Sequence, residues 1–368
     1  MYYSIGPLTL QSNIELPNNY EVFQDAAQGN ADCDICLVAS DCKPNLNLAS
    51  KRATHSLMIV WETADGWIFE STKHDGFLTV SRDYTDASFY CETDDKQECL
   101  RPLLQAVVEC RMIRTGTTIL HSACVVKDGK AIAFSAASGT GKSKRASRWV
   151  KLLGATWLSG DRPAIHLASK KAFGVPWDGK EQIFVNASAP IQAIVEIKRS
   201  GKTYTRRMTN RQKVHFLSNQ LFIPMWDTQL TQIVFIGIKH MTEQYPIYRL
   251  YCDISEESTK EAYDILFNGL ENSLEEKDEK TFKLKNGFEL REIAGEYSAV
   301  AVGDNLAAFG GSVVLNEVSA FLLKNMKTAV TEEELLGLLT NEYDIDEASA
   351  SADLTEILTT FRKIGLVE

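Results

Sequence analysis

The sequence has no uninterrupted apolar run of the roughly 18 residues that a helix needs to cross a bilayer, which argues against a membrane-spanning protein. Its opening, MYYSIGPLTL, lacks the basic flank and apolar core of a secretory signal, so a cytoplasmic location is expected. Cysteine is sparse: eight in 368 residues are too few for a disulfide scaffold, and thiols are expected instead. Basic residues are in deficit, with 39 Lys and Arg against 49 Asp and Glu and a net charge of −10. Such a balance argues against a protein whose main affinity is for nucleic-acid phosphates. What remains is an ordinary globular composition, 44% apolar and 24% charged, long enough for two or three domains of about 150 residues.

One cysteine cluster, Cys33, Cys36 and Cys42, has a spacing that suggests a zinc site. The segment ADCDICLVAS alternates as a strand does, however, and residues three apart on a strand face opposite sides. Half-buried thiols are therefore expected rather than metal ligands.

The chain reads as α+β and multidomain. Residues 1–116 hold short alternating segments such as SLMIVWE, GWIFEST and GFLTVSR, then the apolar stripe of QECLRPLLQAVVECRMI, and predict a β-rich domain ending in a helix. Residues 117–270 alternate strands with at least one helix, and IVEIKRS, TYTRRM and QIVFIGI all read as strands. The apolar-poor stretch ENSLEEKDEK suggests a solvated linker over 271–280. From 281 to 368, the strands FELREI, EYSAVAV and GGSVVLN precede three helices, a winged-helix order. Asn316 is placed to cap the first helix, and Thr331 with Glu334 forms a capping box for the second.

The segment KAIAFSAASGTGKSKRASRWVKLLG carries the clearest chemistry. A buried strand over 130–135 and a helix over 142–153 flank A-A-S-G-T-G-K-S, a phosphate-binding loop with Ala136 in place of its first glycine. Backbone amides around Ser138, Gly139, Thr140 and Gly141 are suited to curl about a phosphate, aided by the helix dipole. Lys142 is placed to neutralise the outer phosphates of ATP, and Ser143 to ligate Mg²⁺. Lys144, Arg145, Arg148 and Lys151 make this helix basic, which suits an anionic ligand, though a solvated cationic face looks the same.

Two further residues gain meaning beside that loop. Asp161 follows the apolar stretch ATWLSG, where a magnesium ligand or a base for a substrate hydroxyl is wanted, although most such aspartates are plain turn residues. His121, in TTILHSACVV, precedes the strand that leads to the loop, and a lone histidine is more often structural than catalytic. The run KRSGKTYTRRMTNRQK concentrates seven basic residues. Its plain reading is a solvated hairpin; the sharper one lets Arg206 or Arg207 reach a transferred phosphate or an acidic substrate.

LHSACVVKDGKAIAFSAASGTGKS followed by LSGDRPAI resembles the HPr kinase/phosphorylase family, whose kinase domain shares a fold with ATP-dependent phosphoenolpyruvate carboxykinase. The resemblance spans 117–270 and implies ATP and Mg²⁺ as cofactors, with His121, Lys142 and Asp161 catalytic and Ser143 and Asp161 on the metal. GVPWDGKEQ looks like a loop of a bacterial branch of these proteins and makes Lys180 a phosphate contact. One departure matters: the family strand ends in Asp-Asp, whereas this chain has Gly160-Asp161. No match to the signature that supports phosphorylase activity is found, so kinase is preferred.

GGSVVLNEVSAFLLKNM and ADLTEILTTFRKIGLVE resemble PqqD-like domains, which hold leader peptides during the maturation of ribosomally made peptides. Ten acids against Arg362 and Lys363 over 331–368 would repel DNA, so a peptide strand added beside Ser312, Val313 and Leu315 is the sounder partner. Leu354, Leu358 and Phe361 are candidates to line that cleft, and ordinary core positions are the equally good alternative. The two resemblances together imply an ATP-dependent Ser/Thr kinase of a precursor peptide or small protein, working alongside other maturation enzymes. The alternative is a non-catalytic nucleotide-binding adaptor that delivers a peptide to another enzyme.

Overall fold

Period-two alternation builds the first sheet. Its strands are Tyr2–Ile5 (β1), Leu8–Ser12 (β2), Ile35–Ala39 (β3) and Ser50–Thr54 (β4), then Met58–Glu62 (β5), Gly66–Ser71 (β6), Gly76–Ser81 (β7) and Asp86–Cys91 (β8). They lie in the order β1-β2-β3-β8-β7-β6-β5-β4, antiparallel except where β3 runs parallel to β2 and β8. The computed structural model describes residues 1–25, 33–136, 141–177, 179–276, 281–293, 295–302, 312–343 and 345–367. They fall into two compact units, Met1–Glu276 and Lys277–Glu368, a mixed α+β architecture.

Helix α1, Lys96–Arg114, starts at Asp95, whose side chain accepts the Glu98 amide. The expected stripe, Leu100, Leu103, Leu104, Val107 and Val108, is fully buried, and Cys110, Met112 and Ile113 are buried as well. One apolar core runs from Tyr3 through this helix to Ile247, so residues 1–116 and the following domain share an interior.

The second sheet is built on Thr117–Ile119 (β9), Ala123–Lys127 (β10), Lys130–Ser135 (β11), Thr156–Ser159 (β12) and Ala164–His166 (β13). Lys171–Phe173 (β14), Ser188–Arg199 (β15), Tyr204–Arg207 (β16), Ile247–Cys252 (β17) and Leu274–Glu275 (β18) complete it. Asp128 and Gly129, both at positive φ (50° and 73°), make the tight turn that joins β10 to β11. The first half of β15 pairs antiparallel with β14, and its second half runs parallel to β11 and β17. The helices are Lys142–Leu153 (α2), Asn210–Gln220 (α3), Thr228–Gln244 (α4) and Glu256–Asn268 (α5).

Three expectations change here. QIVFIGI is not a strand but the middle of α4, because Asp227 caps that helix and Leu230, Val234, Ile238 and Met241 form a buried stripe at helical spacing. The basic run at 198–213 is not one hairpin, since β16 pairs with β17 and α3 begins at Asn210. The start of the expected linker is part of the sheet: β18 pairs with β16, and buried Glu276 accepts a hydrogen bond from Tyr251 Oη at 3.0 Å.

The second unit has a three-stranded antiparallel sheet, Phe288–Ile293 (β20), Glu296–Ala301 (β21) and Ser312–Leu315 (β22), in that spatial order. Thr281–Phe282 (β19) pairs with Val330–Thr331 (β23). Three helices follow as expected: Glu317–Asn325 (α6), Glu332–Tyr343 (α7) and Glu347–Lys363 (α8). Asn316 accepts the Ser319 amide at 2.8 Å, and Thr331 and Glu334 close the capping box. This unit has its own core around Phe282, Leu322, Leu323, Leu335, Leu339 and Leu366.

A separate core predicts separate folding. The fragment 277–368 is expected to unfold in urea as one cooperative transition, and Leu322→Ala within it to lose about 2–5 kcal/mol. A broad, non-cooperative melt of the unsubstituted fragment would contradict this.

Candidate functional site

Strand direction decides what meets at the end of the second sheet. β10 is antiparallel to both β11 and β12, so the start of β10 and the ends of β11 and β12 share one edge. His121 just precedes β10, the segment expected from the sequence to bind phosphate follows β11, and Asp161 follows β12. Hydrogen bonds fasten the three segments: the Ser122 amide donates to the Asp161 carbonyl at 2.7 Å, and the Ser135 hydroxyl to the His121 carbonyl at 2.8 Å. The His121 amide donates to the Gln220 carbonyl, also at 2.8 Å.

Ser138, Gly139 and Thr140 lie outside the described residues. Gly141, at φ 107°, stands at the N-cap of α2 without a side-chain cap, which leaves first-turn amides available to a ligand. Lys142 then extends to His121 and Asp161. Its Nζ lies 2.5 Å from His121 Nε2 and 4.0 Å from Asp161 Oδ1, while His121 Nε2 lies 3.2 Å from the same carboxylate oxygen. The structure thus brings together the three residues that the sequence singled out. One ring nitrogen serves two neighbours here. A neutral Nε2 accepts from the Lys142 ammonium, whereas a protonated one donates to Asp161.

Burial pulls the Lys142 ammonium below its usual range, opposed by the charges of Asp161 and Glu181. For Asp161, burial works against ionisation, but the His121 hydrogen bond and the charges of His121, Lys142 and Arg162 outweigh it and hold the carboxyl low. The carboxylate is therefore firmly anionic at neutral pH.

Lys180 is exposed on a turn, with Gly179 and Glu181 beside it. A Cβ on Gly179 would stand 3.4 Å from Asp161 Cβ, so this turn lies against the aspartate, and it is Glu181 whose charge reaches Lys142. Sequence reasoning passed over Glu181 because nothing but proximity distinguishes it. Arg162, next to Asp161, pairs at 3.3 Å with buried Glu109 of α1 and lies over the Phe222 ring. Buried Trp177 donates to the Arg162 carbonyl at 3.1 Å. Arg206 and Arg207 sit on β16, three strands from β11, or about 14 Å at the usual strand spacing, and Arg206 stacks over Tyr204.

Cys33 and Cys36 are half-buried thiols, as expected, but the strand geometry behind that reading needs correction. β3 begins at Ile35, so Cys33 precedes the strand, and its sulfur lies 2.8 Å from that of Cys36. Burial and this contact push the Cys33 thiol up to about 11. Among the described residues, no group of three or more His, Cys, Asp and Glu is arranged to hold a metal ion. Ser143 is the second residue of α2 and is half-buried.

In the second unit, Leu315, Leu354, Leu358 and Phe361 are core residues, at most 6% exposed, and do not present their side chains to a cleft. The pleat explains it: on β22, Leu315 points inward, Val313 is half-buried, and Ser312 and Val314 point out. Val314 is 68% exposed, and among the described residues β22 pairs only with β21. Among the described residues, no strand covers its other edge. Among the described residues, no helix is long and apolar enough to cross a membrane.

The family model described as Coenzyme PQQ synthesis protein D (PqqD) matches residues 299–367, so the second unit carries a PqqD domain. A solved structure, "Lasso peptide synthetase B1 complexed with the leader peptide", aligns at 17% identity over 24% of this chain and 96% of its own, with a TM-score of 0.21. No curated protein matches the chain.

Asp161 gives a prediction with a definite sign. Its folded-state pKa lies below its ordinary 3.8, so the ionised carboxylate stabilises the fold above that value, and the contribution is lost as pH falls through the folded value. Asp161→Asn is expected to unfold at lower urea than the unsubstituted protein at about pH 6, with the gap narrowing toward about pH 3. A gap that stays constant across this range would refute the assignment.

Proposed function

We propose that the chain is an ATP-dependent kinase of a ribosomally made precursor peptide, which it recruits through its PqqD domain. The observation that carries this reading is the meeting of His121, Lys142 and Asp161 at the start of a helix whose first amides are uncapped. A cation, a firmly ionised carboxylate and an imidazole at a phosphate-binding helix terminus are what phosphoryl transfer asks of a protein.

In this reading the hydroxyl oxygen of a Ser or Thr on the peptide forms a bond to the γ-phosphorus. The bond from that phosphorus to the bridging oxygen breaks, and ADP departs. Lys142 turns from His121 to the phosphates, which frees His121 Nε2 to take the hydroxyl proton while Asp161 holds the resulting imidazolium. Asp161 accepting the proton directly is the other route, weakened by its lowered pKa. Ser143 and Asp161 would hold magnesium, which supplies charge neutralisation when bound. The PqqD domain would add the leader of the peptide as a strand along β22, with backbone hydrogen bonds for affinity and Val313 and Val314 for selectivity. Binding one part of a peptide raises the effective concentration of the rest.

Gly160, where relatives carry an acid, favours a second reading, a nucleotide-binding adaptor without transfer activity. Mass spectrometry separates the two. The full chain, incubated with ATP, Mg²⁺ and the small peptide encoded beside it, is expected to add one phosphoryl group, and Lys142→Ala to add none. An unmodified peptide, or modification that persists in Lys142→Ala, would sink the kinase reading. The recruitment half is tested by Val314→Asp, which leaves the core untouched and should weaken binding of the labelled peptide by about tenfold in fluorescence anisotropy. Unchanged affinity would place the peptide elsewhere.

A further inference from the structure

β20 and β22 are the two outer strands of the sheet in the second unit. A cavity of about 560 Å³ runs between β20 and the end of α6, where Leu323, Lys324 and Lys327 form the facing wall. Among the described residues, β20 pairs only with β21, and no strand covers its outer edge. Leu284, Leu290 and Tyr297, all half-buried, give the cavity an apolar floor.

Charge sets this cavity apart. Residues 281–368 hold 15 Asp and Glu against seven Lys and Arg. Five of those seven, Lys283, Lys285, Arg291, Lys324 and Lys327, line this one cavity, together with only two of the acids, Glu289 and Glu292. The remainder of the stretch is left with Arg362 and Lys363 against 13 acids. Arg291 pairs with Glu289 at 2.8 Å, so the balance in the cavity is four lysines against Glu292. Lysines on an edge strand itself guard it against stray pairing. These four lie instead on the segment before β20 and at the end of α6, where they flank the edge without occupying it. A strand edge beside an apolar floor, bordered by cations, matches an extended acidic chain. Its backbone pairs with β20, its apolar side chains meet the floor, and its carboxylates meet the lysines.

We propose that the groove between β20 and α6 docks an extended acidic segment of a partner protein, on the sheet edge opposite β22. The surface is independent of the nucleotide reading and separate from the strand edge assigned to the leader of the peptide.

Fluorescence anisotropy of the full chain with a labelled octapeptide of alternating glutamate and valine tests this. The peptide is expected to bind at low salt and to weaken by at least about tenfold when Lys324→Glu and Lys327→Glu, both at exposed positions, are combined. Val314→Asp, on the opposite edge, should leave its affinity within about twofold. Binding should also slow amide exchange over 288–292. An unsubstituted chain that does not bind the peptide, or that binds a lysine–valine counterpart equally well, would overturn the proposal. So would unchanged affinity in the doubly substituted chain, or a loss in Val314→Asp as large as that in the lysine pair. Single-stranded DNA of equal charge that binds as tightly as the peptide would show a bare anion-attracting patch and overturn it as well.

Discussion

A lysine ammonium half removed from water is the constraint around which the first unit is arranged. Alone, it would lose its proton or seek solvent. Beside Asp161 and His121 it stays where a phosphate would meet it. Holding three such groups together requires three chain segments to end at one sheet edge, and the antiparallel placement of β10 between β11 and β12 does that. The neighbouring ends of β15 and β17 then give the same edge its depth.

The N-terminal sheet contributes to this edge from below. Glu109 on α1 pairs with Arg162, the residue after Asp161, and burial pushes the Glu109 carboxyl up against the opposing charge of that arginine. Tyr84 Oη donates to Asp227 Oδ2 at 3.1 Å, tying the first sheet to the cap of α4. Asn19 donates from its side chain to the Pro176 carbonyl, one residue before the tryptophan that braces Arg162. A β-rich region that the sequence leaves without a role is, in the fold, the support on which the Asp161 segment rests.

Legibility in the sequence followed how local each signal was. Caps at Asn316 and Thr331 and the strand and helix around Lys142 depend on a few adjacent residues, and all were readable. QIVFIGI was misread because a short apolar run fits either period, and the Asp227 cap that decides it lies before the run. Exposure was least legible. Leu354, Leu358 and Phe361 were offered as cleft residues and proved to be core, whereas Val314 points outward and passed unnoticed. Arg145 shows the converse, a charge that looked solvated but is enclosed where β15 and β17 end above it. Such outcomes depend on partners in other elements, which no local pattern reports.

The two-faced pairing of β15 has a consequence for how this chain comes into being. Its partners arrive from both directions in time: Ala131 pairs with Ile191, made long after it, and Ile194 waits for Ile247. Until β17 emerges from the ribosome, one flank of this central strand stays open, and few local contacts hold its register. Contacts so distant in sequence slow folding and expose strand edges meanwhile. Assembly of the edge that holds Lys142 and Asp161 is thus a late, all-together event, dependent on some 120 residues being present at once.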